Sequence, residues 1–180
     1  MENLPALAPK DLMGDLLALT PEGTIVVNEE AAVEFIERTP LEGVEAVEDG
    51  MVAADLNEAE ELNSVCLRVK LTAGLFARAL IIPKGTFLTG RIHKRPYIDI
   101  FIYGDVTVKS FLSDGTFEAA ERISNFRFFE GVAGRKRVLI AHENTLWVTV
   151  DPTTAEHIHD AQDDITVFQM HEYHKELGGM

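Results

Sequence analysis

From Ser64 onward the chain alternates apolar and polar positions. Val65, Leu67, Val69 and Leu71 take turns with Cys66, Arg68 and Lys70, the two-residue period of a half-buried strand. A turn at Ala73-Gly74 leads into a second strand over Leu75–Ile82, which Pro83-Lys84-Gly85 stops. A third is predicted over Thr86–His93, with Gly90 inside it marking a bulge or a close backbone approach. Tyr97–Tyr103 is a fourth, closed by Gly104-Asp105, and Val106–Leu112 a fifth, closed by the hairpin-type turn Ser113-Asp114-Gly115. Thr116–Ile123, Phe126–Phe129, Arg137–Ala141 and Leu146–Val150 continue the series. Short strands roughly 8–12 residues apart, with Gly or Pro between them, predict an all-β sandwich or barrel.

The flanks read differently. Pro5, Pro9 and Pro21 break residues 1–24 into a tether, in which Asp11–Leu17 offers at most two helical turns. Asn28 can cap a short helix, with Glu29 and Glu30 in the dipole-favoured first turn. Ala32, Val33, Phe35 and Ile36 give that helix one apolar face, and Pro40 ends it. Residues 41–63 are acidic and low in pattern, with one or two helical turns over Asn57–Leu62. After Val150 the alternation stops, and a helix is predicted over Glu172–Leu177. Three segments follow: an acidic N-terminal arm with a short helix (1–63), a β domain (64–150) and an acidic C-terminal tail (151–180).

Hydrophobic residues make up 46% and charged residues 26% of the 180 positions, an ordinary globular balance. No apolar run reaches the ~20 residues that span a bilayer, and no basic n-region precedes an apolar stretch, so neither a membrane span nor a secretory signal is expected. The single cysteine, Cys66, excludes an internal disulfide framework and a multi-thiolate zinc site. Net charge is −14, but unevenly spread: residues 1–63 hold 16 acids and 2 bases, residues 64–150 hold 7 acids and 13 bases, and residues 151–180 hold 7 acids and 1 base. A basic centre between acidic ends predicts either solvated acidic helices or an acidic arm lying on a basic face, in its own subunit or a neighbour's. Glycine-rich phosphate-binding patterns are absent, and no helices space the strands, which argues against a doubly wound nucleotide fold.

The stretch from Pro83-Lys84-Gly85 through His93-Lys94-Arg95 to Asp99 and Gly104 resembles the first cupin motif, and Val132-Ala133-Gly134-Arg135-Lys136-Arg137 resembles the second. More closely, residues 64–155 resemble small cupin-like proteins of tailed bacteriophages, whose Pro-x-Gly-x-Lys-Arg turn leads into a segment matched here by His142-Glu143-Asn144-Thr145-Leu146-Trp147. This resemblance implies a double-stranded β-helix, the cupin jelly roll, with a short helical or extended acidic N-terminal arm and a C-terminal tail. Most cupin enzymes hold a divalent metal with three His and one Glu. The matching positions here are His93, Arg95, Asp99 and Arg137. Two of the four are permanent cations, which cannot be ligands and would repel a metal ion. His142 lies five residues past Arg137, on the opposite face of a continuous strand, and is a poor substitute. The expectation is no metal and no cofactor.

His93, Arg95, Asp99 and Arg137 then form a candidate ligand pocket: two guanidiniums can grip a carboxylate or phosphate, while the bland alternative is mutual neutralisation by ion pairing. A His-Asp pair also resembles, at the level of fold alone, sugar epimerases that use His as a base. Trp147 and Lys136 are candidate interface residues. His157, His159, His171 and His174 read as solvated tail histidines. Lys94, Arg95, Arg135, Lys136 and Arg137 beside Phe126, Phe128 and Phe129 form a weak nucleic-acid candidate, which the acidic arms oppose and in which the phenylalanines are expected in the core. The resemblance implies a non-enzymatic phage structural or assembly protein, a homo-oligomeric virion component contacting itself and other phage structural proteins, located in the virion or the cytoplasm of the infected host. The alternatives are a small-molecule-binding or metal-independent isomerase cupin using the polar cup, and an early phage protein that interferes with a host factor.

Overall fold

A computed structural model describes residues 17–19, 25–53 and 66–177; the predicted turns over Asp11–Leu17 and Asn57–Leu62 lie almost wholly outside these. The described chain runs β1 (Leu17–Leu19), β2 (Ile25–Val27), α1 (Glu29–Arg38), α2 (Leu41–Ala53), β3 (Cys66–Thr72), β4 (Leu75–Ile82), β5 (Phe87–Thr89), β6 (Ile92–His93), β7 (Tyr97–Tyr103), β8 (Val106–Phe111), β9 (Phe117–Ile123), β10 (Arg127–Gly131), β11 (Lys136–Ala141), β12 (Thr145–Pro152), α3 (Ile158–Ile165), β13 (Thr166–Val167) and α4 (Met170–Leu177).

Two antiparallel sheets hold most of the strands. One has the order β10-β7-β12-β4-β3, the other β5-β11-β8-β9. Successive strands pass from one sheet to the other and back, so the two sheets close over a shared interior as a jelly roll. Alternation decides which side chains enter it: Trp147, Thr149 and Asp151 are buried on β12, while Leu146, Val148 and Val150 between them are only partly covered. The end of the barrel interior around Ile82, Phe101, Val106, Ile123, Leu139 and Trp147 is apolar.

The acidic N-terminal segment is not a loose arm over its described length. Asn28 caps α1 by accepting the Ala31 N–H, and Ala32, Phe35 and Ile36 pack with Val44 and Val47 of α2 onto Phe87, Phe111, Val138 and Ile140 of the smaller sheet. Acid meets base at the same contact: the buried Lys136 ammonium donates to both Glu48 oxygens (2.8 and 2.7 Å) and to the Phe168 carbonyl, and Glu29 meets His142 on the outer side of the barrel. The acidic segment thus lies on a basic face of its own subunit. The tail is likewise docked, with Ala161 and Ile165 against Phe76 and Val167 and Met170 against Ile92. No helix among the described residues is long and apolar enough to cross a membrane.

Candidate functional site

The strand predicted over Thr86–His93 breaks at Gly90-Arg91, where the Gly90 N–H bonds the Arg137 carbonyl at 2.8 Å. That contact holds the β5–β6 connection against β11 and brings His93 and Arg137 to one end of the barrel. The inward positions of β4, β7 and β12 add Arg78, Tyr97, Trp147 and Thr149, the β5–β6 connection adds Arg91 and the loop before β11 adds Arg135. Together with Leu80, Ile82, Leu88 and Leu139 they line a cavity of about 90 Å³. Arg135, Arg137 and Trp147 also line a wider opening of about 470 Å³ towards β9 and β10.

Two hydrogen-bonded groups organise the cup. In the first, Asp99 is fully buried and accepts from Arg137 Nη1 (2.6 Å) and from the Trp147 indole N–H (2.8 Å). The Arg137 guanidinium also lies over the Trp147 and Phe129 rings, a placement that stabilises a cation held away from water. In the second, Arg78 Nη2 and His93 Nε2 are 3.2 Å apart, and His93 Nδ1 is 2.5 Å from Asp151 Oδ1. An arginine only donates, so Nε2 is the acceptor and Nδ1 carries the proton given to Asp151. Burial presses the His93 pKa below its ordinary value, outweighing the pull of Asp151, in keeping with a neutral imidazole. The ring stacks on Tyr97 with centroids 3.6 Å apart. Tyr97 in turn fits because position 131 is glycine: a Cβ there would collide with the ring. Burial also pushes the Tyr97 hydroxyl pKa upward.

The cup is not satisfied by its own residues. Arg78 Nε, Arg135 Nε, Thr149 Oγ1 and Asp151 Oδ2 are buried without a hydrogen-bond partner among the described residues. Each of the four belongs to a residue that lines this cavity or pairs with one that does. Each guanidinium carries five donors, yet among the described residues Arg78, Arg135 and Arg137 each make one hydrogen bond, to His93, Glu118 and Asp99 respectively.

Of the four predicted pocket residues, the structure brings together His93, Asp99 and Arg137. It corrects Arg95: β6 ends at His93, so strand alternation no longer governs, and Arg95 turns outward to grip Asp164 of α3 with both terminal nitrogens (3.1 Å each). Thr153 and Thr154 also donate to that carboxylate, and the Arg95 hydrogen bonds lead in holding Asp164 well below the usual carboxylate range. Both predicted interface residues are corrected as well. Trp147 is 3% and Lys136 0% exposed; one faces the barrel interior and the other is enclosed by α2 and Phe168, so neither offers surface to a neighbour. The nucleic-acid candidate is dispersed: Lys94 pairs with Glu176, Arg95 with Asp164 and Lys136 with Glu48. Phe126 and Phe128, expected in the core, are 66% and 62% exposed.

Arg78, Arg135, Asp151 and Thr149 escaped sequence reasoning. The signal was present in β4, where Arg78 occupies an inward position between Phe76 and Leu80. A charge at such a position requires a partner or a ligand.

A divalent metal does not fit this cup. The His93 lone pair at Nε2 faces Arg78, and both Asp99 oxygens are taken by Arg137 and Trp147. Among the described residues no three His, Cys, Asp or Glu side chains converge.

No protein-family model matches the chain, and no curated protein matches its sequence. Similar solved structures include KdgF from a Halomonas species, at 15% identity over 50% of this chain and 81% of that one, with a TM-score of 0.39. Another is an RmlC-like cupin family protein with a double-stranded β-helix fold from Methanocaldococcus jannaschii, at 9% identity over 52% of this chain and 84% of that one (TM-score 0.40). A third is the oxalate decarboxylase of Lactobacillus farciminis as a formate complex, at 12% identity over 56% of this chain and 33% of that one (TM-score 0.42). The likeness is one of fold; the cup residues are this chain's own.

Proposed function

We propose that the protein is a metal-free jelly-roll binding module that takes a small carboxylate into its cup, without chemistry. One observation carries this reading: of the four buried polar atoms without a hydrogen-bond partner among the described residues, three belong to residues lining one cavity, Arg78, Arg135 and Thr149, and the wall of that cavity also holds Arg91 and Arg137. Leaving a buried donor or acceptor unmatched costs roughly 1–3 kcal/mol, and an anion accepting from Arg78 and Arg135 removes part of that cost. Beside these and the polar groups of Arg91, His93, Tyr97 and Thr149, the wall is made of Leu80, Ile82, Leu88, Leu139 and Trp147, an apolar share that favours a carboxylate with a short apolar body over phosphate. A volume of about 90 Å³ corresponds to about three waters at ~30 Å³ each, room for acetate or propionate. No proton-transfer role is assigned, because both nitrogens of the His93 ring are engaged by Arg78 and Asp151.

Trp147 is the sole tryptophan, so its fluorescence reports on the cup directly. Titration with acetate, propionate, phosphate and chloride should show saturable change with the carboxylates and weaker or no change with the inorganic ions. Arg78→Gln and Arg135→Gln should each raise the dissociation constant about tenfold. A fluorescence signal flat for both carboxylates, or unchanged affinity in both variants, overturns the reading.

A second reading is that the protein is a phage-encoded structural or assembly component of homo-oligomeric form, working in the virion or the infected cell. Its support is the sequence resemblance at His142–Trp147 together with a broad apolar sheet surface that the chain leaves exposed at Ile98, Ile102, Phe126 and Phe128. Finding the chain in purified particles at fixed copy number would support it; finding it only in infected-cell lysate would count against it.

A further inference from the structure

The two sheets differ in what covers their outer sides. Helices α1 and α2 pack over the smaller sheet, while the outer face of the larger sheet carries exposed isoleucines and phenylalanines: Ile98 41%, Ile102 39%, Ile81 38% and Phe128 62% exposed. The strand register arranges the outward side chains in rows. One row reads Glu130, Ile98, Val150, Ala77, Lys70 from β10 to β3; the next reads Phe128, Ile100, Val148, Ala79, Arg68. Each row is centred on a β12 valine, with isoleucine on one side and alanine on the other. In the first row an exposed acid stands at one end and an exposed base at the other.

This pattern is self-complementary under one operation. We propose that the face binds a second copy of the chain, related by a two-fold axis parallel to β12 and passing over it. That rotation reverses the strand order of the facing sheet. Val148 and Val150 then meet their own counterparts. Ile98 and Ile100 lie over the partner's Ala77 and the partner's Ala79, large side chain against small. Glu130 comes opposite the partner's Lys70. The perpendicular in-plane axis preserves strand order, and it would set Glu130 against the partner's Glu130 and isoleucine against isoleucine. Like charges in apposition are unfavourable, and opposite potentials fix register, so the reversed arrangement is the one selected. Aligned sheets about 10 Å apart are an established packing mode. The inference is independent of the cup, whose occupancy Trp147 reports separately.

Sedimentation of the full chain without added carboxylate tests it. The wild type should run with the mass of two chains at micromolar concentration. Val148→Arg, at the centre of the face, should run as one chain with unchanged far-ultraviolet circular dichroism. Glu130→Lys and Lys70→Glu should each weaken the dimer about tenfold, and combining the two should restore it, because each inverted charge again meets its opposite. A single-chain mass for the wild type overturns the proposal, including the case in which exchange protection shows the face covered by the chain's own residues. A dimer that survives Val148→Arg, or a double charge reversal that fails to restore association, overturns it equally.

Discussion

The barrel holds two buried ionic clusters that differ in one respect. Around Lys136, every strong group is matched: the ammonium gives three hydrogen bonds, two to Glu48 and one to the Phe168 carbonyl, and Glu48 also accepts from Thr89. Around Arg78 and Arg135, matching stops short, and four buried atoms have no hydrogen-bond partner among the described residues. The same residue types therefore serve two ends. A cluster that its own chain completes fastens the acidic helices to the barrel. A cluster left incomplete by its own chain is the feature on which the proposed ligand site rests.

Four experiments press on that difference. Lys136→Met should have the largest effect, lowering unfolding free energy by about 3–5 kcal/mol in urea titrations, because it strands Glu48 in the interior. Adding Glu48→Leu should recover most of that loss. If Lys136→Met alone costs under about 1 kcal/mol, the completed cluster is not the fastener described here. Next comes Trp147→Phe, which keeps the ring but removes one of the two donors to fully buried Asp99; a loss of about 1–3 kcal/mol is expected.

The third is a pH dependence. Desolvation favours neutral His93 in the folded chain, whereas the unfolded chain binds the proton near pH 6.5. The contribution of His93 is therefore complete above about pH 6.5 and is lost as pH falls from there towards its folded value, by up to about 1.4 kcal/mol per pH unit. The difference between wild type and His93→Gln, followed from pH 7.5 to 5, should show this slope; parallel curves would refute it. The smallest change is expected for Arg135→Met without ligand. Its partner Glu118 is half exposed, so no buried charge is stranded, and stability should shift by less than about 1 kcal/mol. A loss comparable to that of Lys136→Met would erase the distinction between the two clusters.

The strands were readable because alternation is a local property. Leu75–Ile82 and Tyr97–Tyr103 fall where the two-residue period places them. Helix α2 was missed because its apolar positions form no single regular stripe and Gly43 sits in its first turn; Val44 and Val47, three apart, were the available signal. Phe126 and Phe128 were expected inside, but Phe126 precedes β10, and Phe128 is next on that strand to inward Phe129, where adjacent residues cannot face the same way. The cup was half legible. His93, Asp99 and Arg137 lie on strands whose alternation points them inward, whereas Arg95 follows the end of β6 and escapes that rule. Asp151 meets His93 across 58 residues of sequence, and a pairing at that separation leaves no trace in local pattern.

The position of β12 also bears on how the chain comes into being. Thr145–Pro152 is the middle strand of the larger sheet, bonded on one side to β4 and on the other to β7, yet it is made after every other strand of that sheet. Until it emerges, the larger sheet is two separate ribbons, β4-β3 and β10-β7, with open edges. The larger sheet therefore closes only through pairings distant in sequence, the kind that slows folding, and a polypeptide cut short before Thr145 would leave unpaired strand edges open to aggregation.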